Sequence, residues 1–134
     1  MSLSSRKTPL VTRRLTEQEC AANKKQPENH RAITWNAALN AKDAEIIGCF
    51  EGDNLVGVAS YRPKNWTAKL ISIASYRHGA GKELVNFIRL AGYKIWCKGV
   101  VSASEFYASV GMHKGLPVRV GKMDAHIYAD CLCP

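Results

Sequence analysis

The stretch from Leu70 to Asn86 constrains the fold of this chain more than any other part of the sequence. It begins with a short apolar run, Leu70 to Ala74, that predicts a β-strand, and from Leu84 onwards the apolar residues recur at helical spacing. Gly79-Ala80-Gly81 lies between these two patterns. A strand that turns through glycines into a helix directs several backbone N–H groups and the positive end of the helix dipole towards one point. The stretch therefore predicts a phosphate site, although two glycines can also serve only to turn the chain.

Length and composition predict one globular domain. With 134 residues, of which 46% are hydrophobic, the chain is large enough for one substantial core. Its apolar runs fall short of the roughly 18 residues of a membrane span. Residues 1–10 lack an apolar signal core and predict a mobile basic tail before a domain at 11–134, so the cytoplasm is the expected location. The five irregularly spaced cysteines disfavour a secreted disulfide framework and predict no metal site.

The formal net charge of +8 is the strongest compositional signal. One interpretation is a polyanionic partner, such as an acidic protein, a nucleic acid or a phosphate-bearing cofactor. The other interpretation is that scattered lysines only keep the surface soluble. The sequence contains no RNP-type aromatic repeat, no zinc finger and no convincing helix-turn-helix, so the nucleic-acid interpretation depends on charge alone.

The remaining patterns predict a mixed α/β sheet. A strand at 11–15 leads into a helix from Glu17, because Thr16 and Glu19 have the spacing of a capping box. A helix is predicted next over 29–39, then a hairpin of 44–51 and 55–61 around Gly52-Asp53-Asn54, and a third antiparallel strand over 67–74. The elements predicted after the glycine turn are a helix at 82–91 capped by Gly92, a strand at 93–98 parallel to the preceding strand, a helix at 103–110, and strands at 116–120 and 125–129.

Two local motifs at the expected separation give this element order a family resemblance. Tyr76-Arg77-His78-Gly79-Ala80-Gly81 occupies the place of a Gln/Arg-x-x-Gly-x-Gly/Ala pyrophosphate motif, and Ala103 to Met112 matches a later Ala-x-x-Phe-Tyr-x-x-x-Gly-Phe motif. On these residues the chain resembles the GNAT superfamily of acyl-CoA-dependent N-acyltransferases, from about Ala44 to the C-terminus. The resemblance implies a GNAT-like α/β fold, with a mixed, largely antiparallel sheet, splayed central strands and helices on both faces.

The resemblance also implies a co-substrate and a reaction. The pantetheine arm of acetyl-CoA, or of another acyl-CoA, would lie between the splayed fourth and fifth strands, where backbone groups near Ile71 and Ile73 would bind its amides. Tyr107 would protonate the leaving thiolate when an amine attacks the thioester. The implied activity is acyl transfer to an amine, without a metal. The pyrophosphate would be held by N–H groups and side-chain charge from Arg77, His78, Gly79, Ala80, Gly81 and Lys82.

Two features depart from the family pattern. Tyr76 stands where the family has Gln or Arg, and no Asp or Glu occurs between Asp53 and Glu83, where many relatives carry a general base. Ser72, Tyr61 or a chain of waters remain as proton relays.

The sequence leaves the amine acceptor open, and the net charge suits one carried on an acidic protein or a nucleic acid. One alternative is an enzyme on the same fold that modifies a nucleic-acid base or a tRNA-linked amine. The other is a non-catalytic module that binds nucleic acid or protein. A homodimer formed through the edge of the last hairpin is also compatible with the sequence.

Overall fold

A computed structural model describes residues 9–24, 43–100 and 103–131. The predicted helix over 29–39 and residues 1–8 of the predicted tail lie outside the described residues. The strands and helices within the described ranges are β1 (Leu10–Arg14), α1 (Glu17–Lys24), β2 (Glu45–Glu51), β3 (Asn54–Lys64), β4 (Thr67–Ser75), α2 (Ala80–Leu90), β5 (Lys94–Val100), α3 (Ser104–Ser109), β6 (His113–Val120) and β7 (Met123–Ala129).

All of these strands form a single sheet in the order β1-β2-β3-β4-β5-β7-β6. β4 and β5 are parallel, and every other neighbouring pair is antiparallel. A parallel pair requires a crossover connection, and α2 supplies it. The predicted mixed, largely antiparallel sheet is therefore confirmed.

Helices cover both faces of the sheet, as the resemblance implies. Successive residues of a strand point to opposite faces, and Val58 and Ala59 of β3 show this clearly. Val58 packs with Cys20 of α1. Ala59 belongs to the larger core cluster, to which α2 contributes Leu84, Val85 and Ile88 and α3 contributes Tyr107. α2 and α3 therefore lie on one face, and α1 lies on the other.

The predicted capping box holds the start of α1. The N–H group of Glu19 donates to Thr16 Oγ1 at 3.1 Å, and the N–H group of Thr16 donates to the Glu19 carboxylate at 3.0 Å. Arg13 of β1 donates two hydrogen bonds to that carboxylate, at 2.6 and 2.8 Å. These bonds, from Arg13 first and from Thr16 second, lower the pKa of Glu19 to about 2. The same carboxylate thus caps α1 and ties it to β1.

The two ends of α2 fix the strands around it. α2 begins at Ala80, two residues before the predicted start at Lys82, so part of the glycine motif is helical. At its other end Gly92 has φ +101°, which confirms the predicted glycine cap. Arg89 in the last turn donates to both carboxylate oxygens of Asp130, and Asp130 also accepts from the N–H group of Ile95 at 2.9 Å. This clasp holds the C-terminal end of α2, the start of β5 and the end of β7 together.

Candidate active site

β4 and β5 are paired over only three residues and then separate. The pairs are Thr67–Lys94, Ala68–Ile95 and Lys69–Trp96. Beyond them β4 continues to Ser75 paired with β3, and β5 continues to Val100 paired with β7. A gap therefore opens between the two central strands towards their C-terminal ends, which confirms the predicted splay.

A β-bulge marks the place where the strands separate. Tyr61 of β3 pairs with Leu70, whereas Ser60 pairs with Ser72, so Ile71 is an extra residue in β4. A bulge bends its strand and increases the local twist. Because Ile71 follows closely on the last residue paired with β5, the bulge turns β4 away from β5. Ile71 and Ile73 therefore lie on the part of β4 that borders the gap.

The end of the gap faces the uncapped N-terminus of α2. Gly79 is the N-cap residue, with φ +91°, and no side chain within the described residues caps this helix. The N–H group of Ala80 donates to the carbonyl of Arg77 at 3.1 Å, and that of Glu83 donates to the carbonyl of Gly79 at 3.1 Å. The N–H groups of the first turn precede the first intrahelical bonds and point out of the helix end, so those of Gly81 and Lys82 can bind an anion.

The small residues of this turn have different physical roles. Gly79 is required by its positive φ, which side-chain-bearing residues adopt at a cost. Gly81 is required by close packing, because a Cβ there would lie 2.7 Å from Cε1 of Phe106 in α3. Ala80 is fully buried and lies against Gly57 of β3, where a Cβ would be 3.1 Å from that of Ala80. Its small side chain brings the start of α2 close to the sheet.

The charged side chains of the turn differ in whether they form an ion pair or are exposed. Arg77 forms an ion pair with Glu51 of β2, so its guanidinium is directed towards the neighbouring hairpin. His78 and Lys82 are exposed on either side of Gly79-Ala80-Gly81. The positive charge at this end of α2 therefore comes from the backbone and Lys82, while Arg77 shares its charge with Glu51.

Tyr107 lies where the gap begins. Its ring stacks on Tyr128 with centroids 4.7 Å apart, and its side is covered by Phe106 at 5.5 Å. Its side chain interacts with the thiol of Cys97, the residue that follows the last β4-paired position of β5. Burial raises the pKa of Tyr107, and the neighbouring thiol adds to the effect. Burial also raises the pKa of Cys97 to about 11. Both groups are therefore protonated at neutral pH.

The solved structures that this chain resembles include several acetyltransferases. An acetyltransferase of the GNAT family from Desulfovibrio desulfuricans is 20% identical, with a TM-score of 0.63 over 90% of this chain and 98% of its own. The ribosomal-protein-S18-alanine N-acetyltransferase from Escherichia coli is 17% identical, with a TM-score of 0.65 over 90% and 92%. An acetyltransferase from Bacillus anthracis in complex with acetyl coenzyme A is 15% identical, with a TM-score of 0.66 over 92% and 98%. The chain has the GNAT fold.

At these identities the likeness establishes the fold. No protein-family model and no curated protein matches the sequence. The roles of the individual GNAT site residues therefore remain predictions, and their positions surround one gap.

Two residues of the candidate site, Cys97 and Gly99, were not predicted from the sequence. A Cβ at Gly99 would overlap the ring of Tyr107 and lie 2.7 Å from Cδ2 of Tyr128, so only glycine lets α3 bring its tyrosine this close to β5. Alternation along β5 was the available signal, because Ile95, Cys97 and Gly99 share the buried face. The sequence does not show which helix packs on that face.

Tyr61 and Ser72, the two side chains considered as proton relays, each interact with another polar side chain. Tyr61 is buried, and its pKa is raised first by burial and then by its interaction with Glu45. Ser72 shares a 2.8 Å hydrogen bond with the buried hydroxyl of Ser60. Glu45 is the carboxylate that the sequence did not connect with the site, since it reaches Tyr61 only through the pairing of β2 with β3.

We also searched the described residues for metal sites, disulfide bonds and membrane-spanning helices. No group of three or more His, Cys, Asp or Glu side chains is gathered there in a way that would hold a metal ion. Cys20, Cys49, Cys97 and Cys131 are free thiols. None of the helices in this part of the chain is long and apolar enough to cross a membrane.

Proposed function

We propose that this protein transfers an acyl group, in the first instance acetyl, from acyl-CoA to an amine. The observation that carries the proposal is the gap between β4 and β5, which runs from the bulge at Ile71 to the uncapped N-terminus of α2. An extended chain that carries amides and ends in phosphates matches this gap, because a strand edge pairs with amides and a free helix N-terminus binds phosphates. Acyl-CoA has this composition and supplies the activated acyl group.

Different residues along the gap bind the pantetheine arm and the pyrophosphate of acyl-CoA. The backbone of β4 at Ile71 and Ile73 binds the amides of the pantetheine arm. The N–H groups from His78 to Lys82 bind the pyrophosphate, and the ammonium group of Lys82 adds charge. Lys82 is otherwise unfavourable in the first turn of a helix, where the dipole is positive, so a bound phosphate offsets this cost.

Tyr107 is the proton donor in this proposal. The attack of an amine forms a C–N bond and breaks the C–S bond, so the sulfur needs a proton and the nitrogen must lose one. The buried Tyr107 hydroxyl keeps its proton at neutral pH because burial raises its pKa. Its position beside Cys97, at the start of the gap, suits donation to the sulfur. The acceptor amine enters as the neutral base or loses its proton to water.

Calorimetric titration with acetyl-CoA tests the proposal directly. We expect saturable binding to one site per chain, and binding several-fold weaker in Lys82→Gln, which loses one charge near the phosphates. Lys122→Gln is the matched control, because it removes the same charge from the exposed turn between β6 and β7. Absence of binding at millimolar acetyl-CoA, together with no acyl-CoA in a native mass spectrum of the purified protein, would falsify the proposal.

A further inference from the structure

The sheet face opposite α2 carries a cluster of cations around two tryptophans, which we term the basic face. On β5, Ile95 and Cys97 point into the core beneath α2, so Lys94, Trp96 and Lys98 point to the opposite side. The same alternation places a further set of cations on this side, from β3 and β4, because Tyr61, Ala68 and Leu70 are in the core. The members of the basic face are Arg62, Lys64, Lys69, Lys94, Lys98, Trp96 and, in the turn between β3 and β4, Trp66.

The basic face places several positive charges on three neighbouring strands. Arg62 and Lys69 stand directly opposite each other in the β3–β4 register. Strands β3, β4 and β5 contain no Asp or Glu. The Nζ of Lys69 lies 5.3 Å from the centre of the Trp96 ring, so this cation makes a cation–π contact within the face. Lys64, Lys94 and Lys98 are exposed, so their charges are accessible to an anion on this face.

An apolar cavity of about 480 Å³ adjoins the cations, and Trp96 forms one of its walls. Its other lining residues are Gly115, Leu116, Ile127, Ala129 and Cys131. Cavities of this size hold small organic groups. Trp96 is also the last residue of β5 that pairs with β4, so the cavity lies next to the start of the gap. Trp66, two residues after Lys64 in the turn between β3 and β4, is 73% exposed and offers a second aromatic surface.

We propose that the basic face binds a single-stranded nucleic acid, and that the acceptor amine is carried on it. The second part rests on the acyltransferase function proposed above; the binding itself does not. The cations span about 13 Å along β5, from Lys94 to Lys98, and about 10 Å across the three strands, which fits a phosphate backbone rather than one small anion. An exposed tryptophan such as Trp66 binds unstacked bases, which a duplex does not offer. An acidic peptide without aromatic groups would use the charges alone, which the competition with polyglutamate described below tests.

The test measures fluorescence anisotropy with labelled 15-nucleotide RNA and DNA, single-stranded and double-stranded, at several salt concentrations. We expect the single strands to bind more tightly than the duplexes, with a log–log salt slope of about −0.7 for each phosphate contact. The double variant Lys69→Gln/Lys98→Gln should reduce the magnitude of that slope by about 1.4. Lys114→Gln/Lys122→Gln removes the same charge from β6 and its turn, and should leave the slope unchanged.

A second variant separates stacking from charge. Trp66→Ala keeps every cation and changes an exposed position, so the fold is retained and the salt slope stays the same. Loss of one stacked base should weaken single-strand binding by roughly 5-fold or more. Trp66→Phe, which keeps an aromatic face, should recover most of this loss. A preference for the RNA strand over the DNA strand identifies contacts with the 2′-hydroxyl and assigns the ligand to RNA.

Three outcomes would overturn the inference: equal losses in both lysine double variants, duplexes that bind as tightly as single strands, or polyglutamate that competes as well as the single strands do. Titration of the same proteins with acetyl-CoA keeps this failure separate from failure of the acyltransferase. A protein that binds acetyl-CoA but no nucleic acid contradicts only the inference. A protein that binds single strands but no acetyl-CoA contradicts the proposed function, whereas the inference that the basic face binds nucleic acid is retained.

Discussion

Tyr107 owes its position to residues of β5 more than to its own helix. α3 is only six residues long, and it presents the ring to the strand at Cys97 and Gly99. Cys97 meets the hydroxyl, and Gly99 leaves room for the ring. A short helix has little stability of its own, so contacts of this kind decide where its side chains lie.

The hydroxyl of Tyr107 can be tested separately from its ring. We expect Tyr107→Phe to lower kcat by about 100-fold or more, the usual contribution of a positioned general acid. The ring contacts with Tyr128 and Phe106 remain, so the free energy of unfolding should change by no more than about 1 kcal/mol. Acetyl-CoA affinity should not change. Release of free CoA thiol with an amine acceptor measures the rate, and full activity in this variant would remove Tyr107 as the acid.

The space at Gly99 gives a second prediction at the residue scale. In Gly99→Ala the new Cβ overlaps the ring of Tyr107 and meets that of Tyr128, so both rings must move. Overpacking of this kind typically costs about 1–3 kcal/mol. Urea denaturation should show this loss, and kcat should fall with it because the hydroxyl is displaced from the start of the gap. Unchanged stability would mean that α3 shifts freely, and would contradict the account of how Tyr107 is held.

Among the elements, the turn into α2 determines whether the helix end can meet a ligand. Gly79 has φ +91°, and a Cβ at this position would have open space around it, with the nearest atom, Leu10 Cδ1, 3.8 Å away. Conformation alone therefore requires glycine here. Gly79→Ala should lower the free energy of unfolding by about 1–2 kcal/mol, and Gly79→Asn by less, because Asn tolerates the left-handed region. Calorimetry should show weaker acetyl-CoA binding in the same order; an Asn variant that is worse than Ala would indicate a steric cause instead.

The ion pair between Glu51 of β2 and Arg77 of the glycine turn controls a second charge near the phosphates. Glu51 neutralises Arg77, and both side chains are partly exposed. In Glu51→Gln the guanidinium is released, so acetyl-CoA should bind a few-fold more tightly, with a steeper dependence on salt. Arg77→Gln should bind no more tightly than the wild type. If Glu51→Gln has no effect, Arg77 takes no part in binding the phosphates.

For the molecule as a whole, the sequence predicted what local chemistry determines. The capping box of Thr16 and Glu19, the hairpin turn and the path of the chain through Gly79 to α2 follow from neighbouring residues. The bulge at Ile71 depends on the register with β3, and the contact of Cys97 with Tyr107 depends on how α3 packs. The sequence therefore predicted the path of the backbone through the glycine turn into α2, but not the contacts that side chains make across the sheet.

Alkaline pH should destabilise the whole protein through its buried thiol and phenols. Burial raises the pKa of Cys97 from 9.0 to about 11, and burial also raises the pKa values of Tyr61 and Tyr107. The unfolded chain then loses protons at lower pH than the folded chain does, so the stabilisation is complete below pH 9 and is lost as pH rises towards 11. For Cys97 alone the loss between pH 8 and pH 10 is about 1 kcal/mol. Cys97→Ser does not titrate in this range, so urea denaturation should show a shallower decline in that variant; parallel declines would place the thiol outside the buried core.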